Sequence, residues 1–257
     1  MQVIYGVKPV MEALRSDSSK IKKIVVASGR RGENVRNILK LAEQNKIETE
    51  FEEKKYLEKL AGGNFHQGIV CLCDEYSYAS ADKVINNCCE TLKNSLILIL
   101  DGITDPQNLG SLIRTAHCCG VNGVIVPENR AASVTPAVMK VSAGAAHHIP
   151  IVKVVNISNT IDYLKEKGFW IYGADAKLGQ DVHSFDYGGH IALVMGSEEK
   201  GIRPLVRRKC DFFVSIPIWG EIDSLNVSVA AGIILYEITR KRFGHANIFM
   251  GSTHKKG

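Results

Sequence analysis

The sequence lacks the features that mark several large classes of protein. Its 257 residues contain no apolar run near the roughly 20 residues that span a membrane. No basic segment followed by an apolar one stands at the N-terminus, so no secretory signal is expected. Repeats and low-complexity segments are missing, and 45% hydrophobic with 23% charged residues is typical of a folded globular protein. Membrane, collagen-like, coiled-coil and disordered chains are therefore excluded.

Paired cysteines are also missing. The seven cysteines include no CxxC pair, and their number is odd. Their spacing favours small buried side chains in a reducing compartment over disulfides or a zinc site. We therefore expect a cytoplasmic protein without a structural metal.

Two nucleotide-binding signatures are missing as well. No GxGxxG occurs, and the GxxxxG segment from Gly196 to Gly201 is followed by Ile202 and Arg203 instead of Lys-Ser/Thr. A Rossmann site and a P-loop are therefore disfavoured. The excess of 32 basic over 27 acidic residues gives a net charge of +5, which is compatible with a nucleic-acid partner but does not prove one.

The first part of the chain alternates strands and helices. Apolar patterns predict strands at 23–27, 47–51 and 68–73, with helical spacing at 35–42 and 56–60. This pattern predicts a compact α/β domain over residues 1–75. A polar segment follows, and we assign residues 76–94 to a linker.

The second part reads as an open, largely parallel α/β sheet. The run Leu96–Leu100 does not alternate, which is typical of a strand covered by helices on both faces. Four more strands are predicted, at 123–126, 170–174, 191–195 and 212–216. A last helix is expected over 226–242, which gives a domain over 95–246 and a flexible tail over 247–257.

Ligands of such sheets bind in loops at the carboxyl ends of strands. In the loop after Leu100, we expect Asn108 to cap a helix beginning at Ser111, and Gly110 to leave room for a ligand one turn before Arg114. Taken alone, this pattern also fits an ordinary capped helix with a solvated arginine.

Two further loops follow predicted strands. One carries Glu198 and Glu199 between glycines, which suits a neutral or cationic ligand and also fits a plain surface turn. In the other, Ser224 is expected to cap the final helix so that Asn226 faces the ligand. A plain capped helix is the alternative for this loop.

Taken together, the three loops resemble a known family. The pattern N-x-G-x-x-x-R-x-A, then M-G-x-E-x-x-G, then I-P-x-x-G with S-L-N-V-S-V-A resembles the three motifs of the SpoU/TrmH ribose 2′-O-methyltransferases of the SPOUT superfamily. The resemblance spans residues 95–242. Ile4-Tyr5-Gly6 and His66-Gln67-Gly68-Ile69 are similar to members with an N-terminal RNA-binding domain. The layout is most similar to the RlmB type, which methylates a guanosine of 23S rRNA.

The resemblance implies a fold, a cofactor and a set of site residues. It implies a trefoil-knotted α/β methyltransferase domain, a smaller N-terminal α/β domain of ribosomal-protein-like fold, and S-adenosylmethionine (AdoMet) as methyl donor. The implied cofactor-binding residues are Met195, Gly196, Ile216, Ile218 and Leu225. The implied catalytic residues are Asn108, Arg114, Glu198, Ser224 and Asn226.

The same resemblance implies partners. The substrate is expected to be RNA, with 23S rRNA favoured and no DNA, and the chain is expected to form a homodimer through the knotted domain. Because arginine stays protonated, we expect Arg114 to bind the target phosphate and orient the hydroxyl instead of acting as a general base. Candidate phosphate contacts are Lys22, Lys23, Arg30, Arg31, Arg36, Lys140, Arg203, Arg207 and Arg208. A tRNA methyltransferase of the same family and a non-catalytic RNA-binding or assembly protein are the alternatives.

Overall fold

The computed structural model describes residues 1–16, 18–74, 76–221 and 223–243. The predicted tail, 247–257, lies outside these residues. None of the helices in the described ranges combines the length and the apolar character that crossing a bilayer requires.

The first sheet has four strands and confirms the expected α/β unit. Its strands are β1 (Gln2–Tyr5), β2 (Ile21–Ala27), β3 (Glu48–Glu52) and β4 (Ile69–Cys73). They lie in the order β1-β4-β2-β3, with β2 and β3 parallel and β4 antiparallel to both its neighbours. The helices of this part are α1 (Val7–Ser16), α2 (Glu33–Gln44) and α3 (Lys54–Ala61). Strand β1 was not predicted.

The second sheet is fully parallel, as expected from its apolar strands. Its seven strands are β5 (Leu96–Asp101), β6 (Gly123–Pro127), β7 (Ile151–Val154), β8 (Phe169–Ala174), β9 (Gln180–Asp181), β10 (His190–Gly196) and β11 (Phe212–Ser215). They lie in the order β7-β6-β5-β10-β8-β11-β9. The five predicted strands are all present, and β7 and β9 are additions.

Helices cover both faces of this sheet. They are α4 (Ala81–Thr91), α5 (Pro106–Cys118), α6 (Pro136–Val141), α7 (Ile157–Glu166), α8 (Pro204–Arg207) and α9 (Val227–Phe243). Along β5, Ile97 and Ile99 pack with residues of α4 and α7, whereas Leu98 and Leu100 pack with residues of α5 and α9. Every residue of β5 is buried, which explains why its sequence does not alternate.

The segment assigned to a linker contains an ordered helix. Helix α4 occupies residues 81–91 within 76–94, and Val84, Ile85 and Cys88 are buried against the second sheet. Ala79, ahead of the helix, forms an isolated parallel bridge with Val152 of β7. Much of this segment therefore packs as part of the second α/β layer.

The two sheets are joined by a tight junction. Gly144 has a φ of +87°, and a Cβ atom there would lie 2.3 Å from Cβ of Glu12 on α1. Glu12 also lies 2.8 Å from Nε2 of His148, and the Tyr76 hydroxyl donates to the main-chain oxygen of Ala146 (3.1 Å). One apolar cluster runs through both domains, so their packing is continuous.

Candidate active site

The three loops singled out in the sequence follow β5, β10 and β11. Because the second sheet is parallel, the carboxyl ends of these strands lie at one edge. The described parts of these loops are residues 102–105, 197–203, 216–221 and 223–226. The structure therefore brings the predicted motifs together at the expected edge of the sheet.

The cap of α5 differs from the prediction. Asp105 is the N-cap, since its Oδ1 accepts a hydrogen bond from the Gln107 N–H (2.9 Å), and Pro106 occupies the first helical position. Asn108 was expected to cap a helix beginning at Ser111, and this was wrong. Asn108 lies inside the first turn, which frees its side chain for another contact. Proline directly after a capping aspartate was the signal for the earlier start.

Gly110 does not leave room for a ligand. A Cβ atom at this position would lie 2.6 Å from Cβ of Val141 on α6. The residue is buried, and its lack of a side chain lets α5 and α6 approach each other closely. The expectation that this glycine opens space for a ligand was therefore wrong.

The loop after β10 is a tight turn that presents Glu198. Ser197 and Gly201 exchange main-chain hydrogen bonds of 3.2 and 2.8 Å, and Gly201 has a φ of +61°. A Cβ atom on Gly196 would lie 2.1 Å from the carbonyl carbon of Gly201. Both glycines are thus needed for the turn to close, and the closed turn places Glu198 at its exposed end.

Asn226 links the second and third loops to the first turn of α5, which follows the first loop. Its Nδ2 donates to Oε1 of Glu198 (2.5 Å) and to Oδ1 of Asn108 (3.0 Å). Its Oδ1 accepts the main-chain N–H of Ser228 (3.0 Å), which fixes the orientation of the amide. Three of the predicted catalytic residues therefore form one hydrogen-bonded group, the loop triad Asn108–Asn226–Glu198.

The same asparagine caps the final helix. Oδ1 of Asn226 also accepts the N–H of Val229 (3.4 Å), and Oε1 of Glu198 accepts the N–H of Val227 (3.3 Å). A carboxylate is favoured at a helix N-terminus because unpaired N–H groups point toward it. The expectation that Ser224 caps this helix was wrong. Asn226 caps the helix instead. The sequence did not indicate this, because the contact of Asn226 with Glu198 is non-local.

A cavity of about 150 Å³ lies beside the loop triad. All the residues predicted to bind the cofactor line it, namely Met195, Gly196, Ile216, Ile218 and Leu225. Glu198 and Ser224 line it too. Along 216–221 and 223–225, no main-chain group hydrogen-bonds to another main-chain group of the described residues. This wall therefore offers polar main-chain groups to a ligand, between apolar side chains.

A second cavity of about 380 Å³ lies on the other side of Glu198. It shares Ser197, Glu198, Gly201 and Val227 with the first cavity and is also lined by Asn108 and Arg130. Glu198 of the loop triad therefore borders two adjoining spaces, and Asn108 borders the second. Such an arrangement can hold two reactants side by side.

An ion pair in the wall of this cavity, between buried Asp101 and exposed Arg203, was not predicted. Oδ1 of Asp101, whose side chain is fully buried, lies 2.6 Å from Nε and 2.5 Å from Nη2 of Arg203. Oδ2 of Asp101 accepts the main-chain N–H of Arg203 (2.8 Å). This pair ties the second loop to the end of β5. An aspartate directly after an apolar strand was the available signal, since a buried carboxylate needs a partner.

Two family profiles match the chain. The first, the SpoU rRNA methylase family, matches residues 95–236, which is more than half of the sequence. The chain belongs to this family. The second, described as the substrate-binding region of RNA 2′-O ribose methyltransferases, matches residues 3–79. The two profiles fall on the two sheets described above.

Individual relatives agree with the assignment to the SpoU family. A protein from Staphylococcus saprophyticus, named as a TrmH family tRNA/rRNA methyltransferase, is 42% identical over 93% of this chain and 96% of its own. The SpoU methyltransferase AviRb from Streptomyces viridochromogenes, solved with AdoMet, has a TM-score of 0.79, 26% identity, and coverage of 93% of this chain and 90% of its own. The TrmH/SpoU tRNA modifying enzyme of A. aeolicus has a TM-score of 0.53 and 30% identity, and covers 63% and 84%.

Arg114, the arginine of the first SpoU motif, is not brought to the loop triad. Successive helical residues turn by about 100°, so Asn108 and Thr115 share a face of α5 while Arg114 points away from it. Thr115 faces Gly232 of α9, which confirms where that face is directed. Arg114 is exposed and lines neither of the two cavities.

The predicted phosphate contacts separate into three groups. Several are engaged by carboxylates: Lys22 by Asp74, Lys23 by Glu48 and Glu50, Arg203 by Asp101, and Arg207 by Asp175. Arg30, Arg31 and Lys140 line one cavity between the two domains. Arg36 and Arg208 are exposed and line neither this cavity nor the two at the loop triad.

Proposed function

We propose that this SpoU-family methyltransferase transfers a methyl group from AdoMet to a ribose 2′-OH of RNA, and that its target is a guanosine of 23S rRNA, as in RlmB-type members. The observation that carries the proposal is the loop triad, in which Asn226 joins Glu198, which lines both cavities, to Asn108, which lines the second. Methyl transfer needs two reactants held in line about 3–3.5 Å apart, and two adjoining cavities suit that requirement.

The first cavity fits AdoMet by its chemistry. Apolar side chains of Met195, Ile218 and Leu225 suit the adenine ring. The main-chain groups of 216–221 and 223–225, which have no main-chain partner among the described residues, suit its polar edges. The carboxylate of Glu198 suits a cation. When bound, AdoMet supplies an electrophilic methyl group on a sulfonium. In our proposal the second cavity receives the target nucleotide.

Glu198 acts as a positioning residue. Its Oε1 already accepts hydrogen bonds from Asn226 and Val227, so it holds the cofactor loop against α9. The two amides of Asn108 and Asn226 fix the first and third loops in the same way. Correct placement of two reactants is worth several kcal/mol of the barrier, which is the contribution we assign to the triad.

Arg114 completes the site from a second chain. Val229, Ile233 and Tyr236 form an exposed apolar stripe at helical spacing on α9, which packs beside α5. Such a stripe is typical of a protein interface and supports the expected homodimer. In that dimer, we place Arg114 of one chain at the second cavity of the other, where it binds the phosphate and orients the hydroxyl.

The layout of the chain favours ribosomal RNA as substrate. The A. aeolicus tRNA enzyme covers only 63% of this chain, so a large part of the chain has no counterpart in it. The name of the staphylococcal relative includes both RNAs, which keeps tRNA as the second candidate. We also expect the trefoil knot of the superfamily and action in the cytoplasm.

The test is methyl transfer from labelled AdoMet to purified 23S rRNA, bulk tRNA and DNA of matching sequence. We expect label in 23S rRNA and none in DNA, and mapping of the 2′-O-methyl group should place it on a guanosine. Transfer to tRNA alone would contradict the rRNA proposal. Failure to label any RNA, by protein that binds AdoMet, would contradict the proposed activity.

A further inference from the structure

A basic groove lies between the two domains, away from the loop triad. Its volume is about 690 Å³, and it is lined by the α1 and α2 ends of the first domain and by α6 of the second. Its charged lining residues are four cations and one carboxylate: Lys8, Arg30, Arg31, Lys140 and Glu33. We call this space the interdomain groove. The charge of its walls favours an anionic ligand.

Arg30 is held in place within the groove. Its Nε donates to the main-chain oxygen of Gln67 (3.2 Å), and Gln67 in turn accepts the Val7 N–H through Oε1 (3.1 Å). Gly68 has a φ of +78°, and a Cβ there would lie 3.0 Å from Cδ of Arg30. The absence of a side chain at Gly68 therefore leaves space for the aliphatic part of Arg30, while the end of the guanidinium stays exposed.

The other groove cations are available to a ligand. Lys8 and Arg31 are exposed, and no carboxylate of the described residues forms an ion pair with either of them or with Arg30. This differs from Lys22 and Lys23 of the same domain, which are neutralised by Asp74, Glu48 and Glu50.

An exposed aromatic ring lies next to Lys140, the groove cation that comes from α6. Phe65 is 73% exposed, although it is a large apolar side chain in a loop. Nζ of Lys140, from α6, lies 5.2 Å from the Phe65 ring centre and 5.1 Å from that of Tyr5. The same Nζ lies 3.5 Å from the main-chain oxygen of Phe65. Lys140 therefore belongs both to the groove and to the support of this ring.

We propose that the interdomain groove binds an unpaired stretch of the RNA substrate, with its phosphates on Lys8, Arg30, Arg31 and Lys140 and one base stacked on Phe65. The inference rests on the proposed function, because it takes RNA as the substrate. Cations beside an exposed aromatic ring are the combination that binds single strands, since every base has a face that can stack. A duplex keeps its bases paired and offers none to Phe65.

The interdomain groove is connected to the active site through packed helices. Lys140 belongs to α6, which packs closely on α5 through Val141 and Gly110, and α5 carries Asn108. An RNA segment that contacts both Phe65 and Lys140 is therefore fixed to both domains at once. This limits the positions that the rest of the RNA can take at the loop triad.

The test is binding of an unstructured twelve-nucleotide RNA, and of the same sequence as a duplex, to the full chain without AdoMet. Fluorescence anisotropy gives the affinity at several salt concentrations. We expect Phe65→Ala to weaken single-strand binding by about tenfold and Phe65→Tyr to keep it, since tyrosine retains the ring. Phe51→Ala, at a ring 59% exposed on edge strand β3, is the matched control and should leave binding unchanged.

The contribution of the groove cations is measured separately, by the salt dependence of the RNA affinity. Each phosphate contact contributes about −0.7 to the slope of log affinity against log salt for single strands, so Lys8→Ala with Arg31→Ala should lower its magnitude by about 1.4. Lys40→Ala with Lys55→Ala, at exposed lysines of the same domain outside the groove, should not change the slope. Phe65→Ala should change the affinity at an unchanged slope.

The outcomes are distinguishable from failure of the proposed function. Equal binding by Phe65→Ala and Phe51→Ala, or duplex binding as tight as single-strand binding, would overturn the groove while methyl transfer to RNA could still be measured. Protein that binds AdoMet in a separate titration but neither short RNA would also overturn the groove, whereas the methyl-transfer assay on 23S rRNA decides the proposed function by itself.

Discussion

The loop triad and the interdomain groove use polar residues in opposite ways. At the triad, Asn108, Glu198 and Asn226 satisfy one another and the first turn of α9. In the groove, Lys8 and Arg31 are exposed and unpaired among the described residues. The first arrangement fixes positions before a ligand arrives, whereas the second keeps its charge for the ligand.

This difference teaches what each region can tolerate. Residues that are one another's partners should affect stability, geometry and turnover together when one is removed. Exposed cations should affect affinity and its salt dependence with little change in stability. Three substitutions test this division, beginning with the largest expected effect.

Asn226→Ala removes both the link within the triad and the cap of α9, and a control that removes only a helix cap separates the two effects. We expect kcat/KM to fall by about 100-fold or more, because two loops lose their common partner, and the free energy of unfolding to fall by about 1 kcal/mol for the lost cap. Asn156→Ala removes a similar cap from α7, where Oδ1 accepts the Asn159 N–H (3.3 Å). This control should lose similar stability but keep its activity, and equal activity of the two variants would break the comparison.

Arg114 does not fit the contrast between mutually paired residues and exposed cations. It is exposed like a groove cation, but we assign it a role in catalysis. Arg114→Ala should lower kcat by about 100-fold, as expected for a group that orients reactants or stabilises charge. Arg114→Lys should not restore full activity, because lysine lacks the planar fork.

Mixing two inactive variants tests whether Arg114 acts across a dimer. If Arg114→Ala and Asn226→Ala chains exchange freely, half of the dimers are mixed and each has one intact site, so about a quarter of the wild-type activity should return. No recovery in demonstrably mixed dimers would show that Arg114 acts within its own chain.

Asp101→Asn should have the smallest effect on activity of the three and should act mainly on stability. It leaves Arg203 without its buried anion, and we expect a loss of about 1–3 kcal/mol in the free energy of unfolding. Asp162→Asn, at the exposed pair with Lys209, should cost no more than about 0.5 kcal/mol. Chemical denaturation of both variants gives the comparison, and equal losses would show that burial of Asp101 adds nothing.

The sequence was sufficient for the elements whose signal is local. Runs such as Leu96–Leu100 predicted buried strands because helices on both faces leave no polar side. Strand β7 was missed because its four residues include Lys153, and β9 because two residues have no periodicity. Strand β1 is too short for alternation to be visible, and its partner β4 lies far along the chain.

The sequence predicted which residues form the site but not the hydrogen bonds between them. The three motifs name Asn108, Glu198 and Asn226, yet only the fold shows that one amide joins them. Sequence alone does not tell whether Gly110 makes room for a ligand or for Val141, because either neighbour requires a residue without a side chain at this position. The Asp101–Arg203 pair joins residues 102 positions apart, which no local pattern indicates.

The reach of Asn226 along the chain has a consequence for synthesis. Its partner Asn108 lies 118 residues earlier, so the triad cannot form until synthesis has passed Asn226. Contacts this distant in sequence close late in folding, because a long loop must be ordered first. A nascent chain that has formed β5, β10 and α5 is therefore still inactive, and the onset of activity should coincide with docking of the last helix.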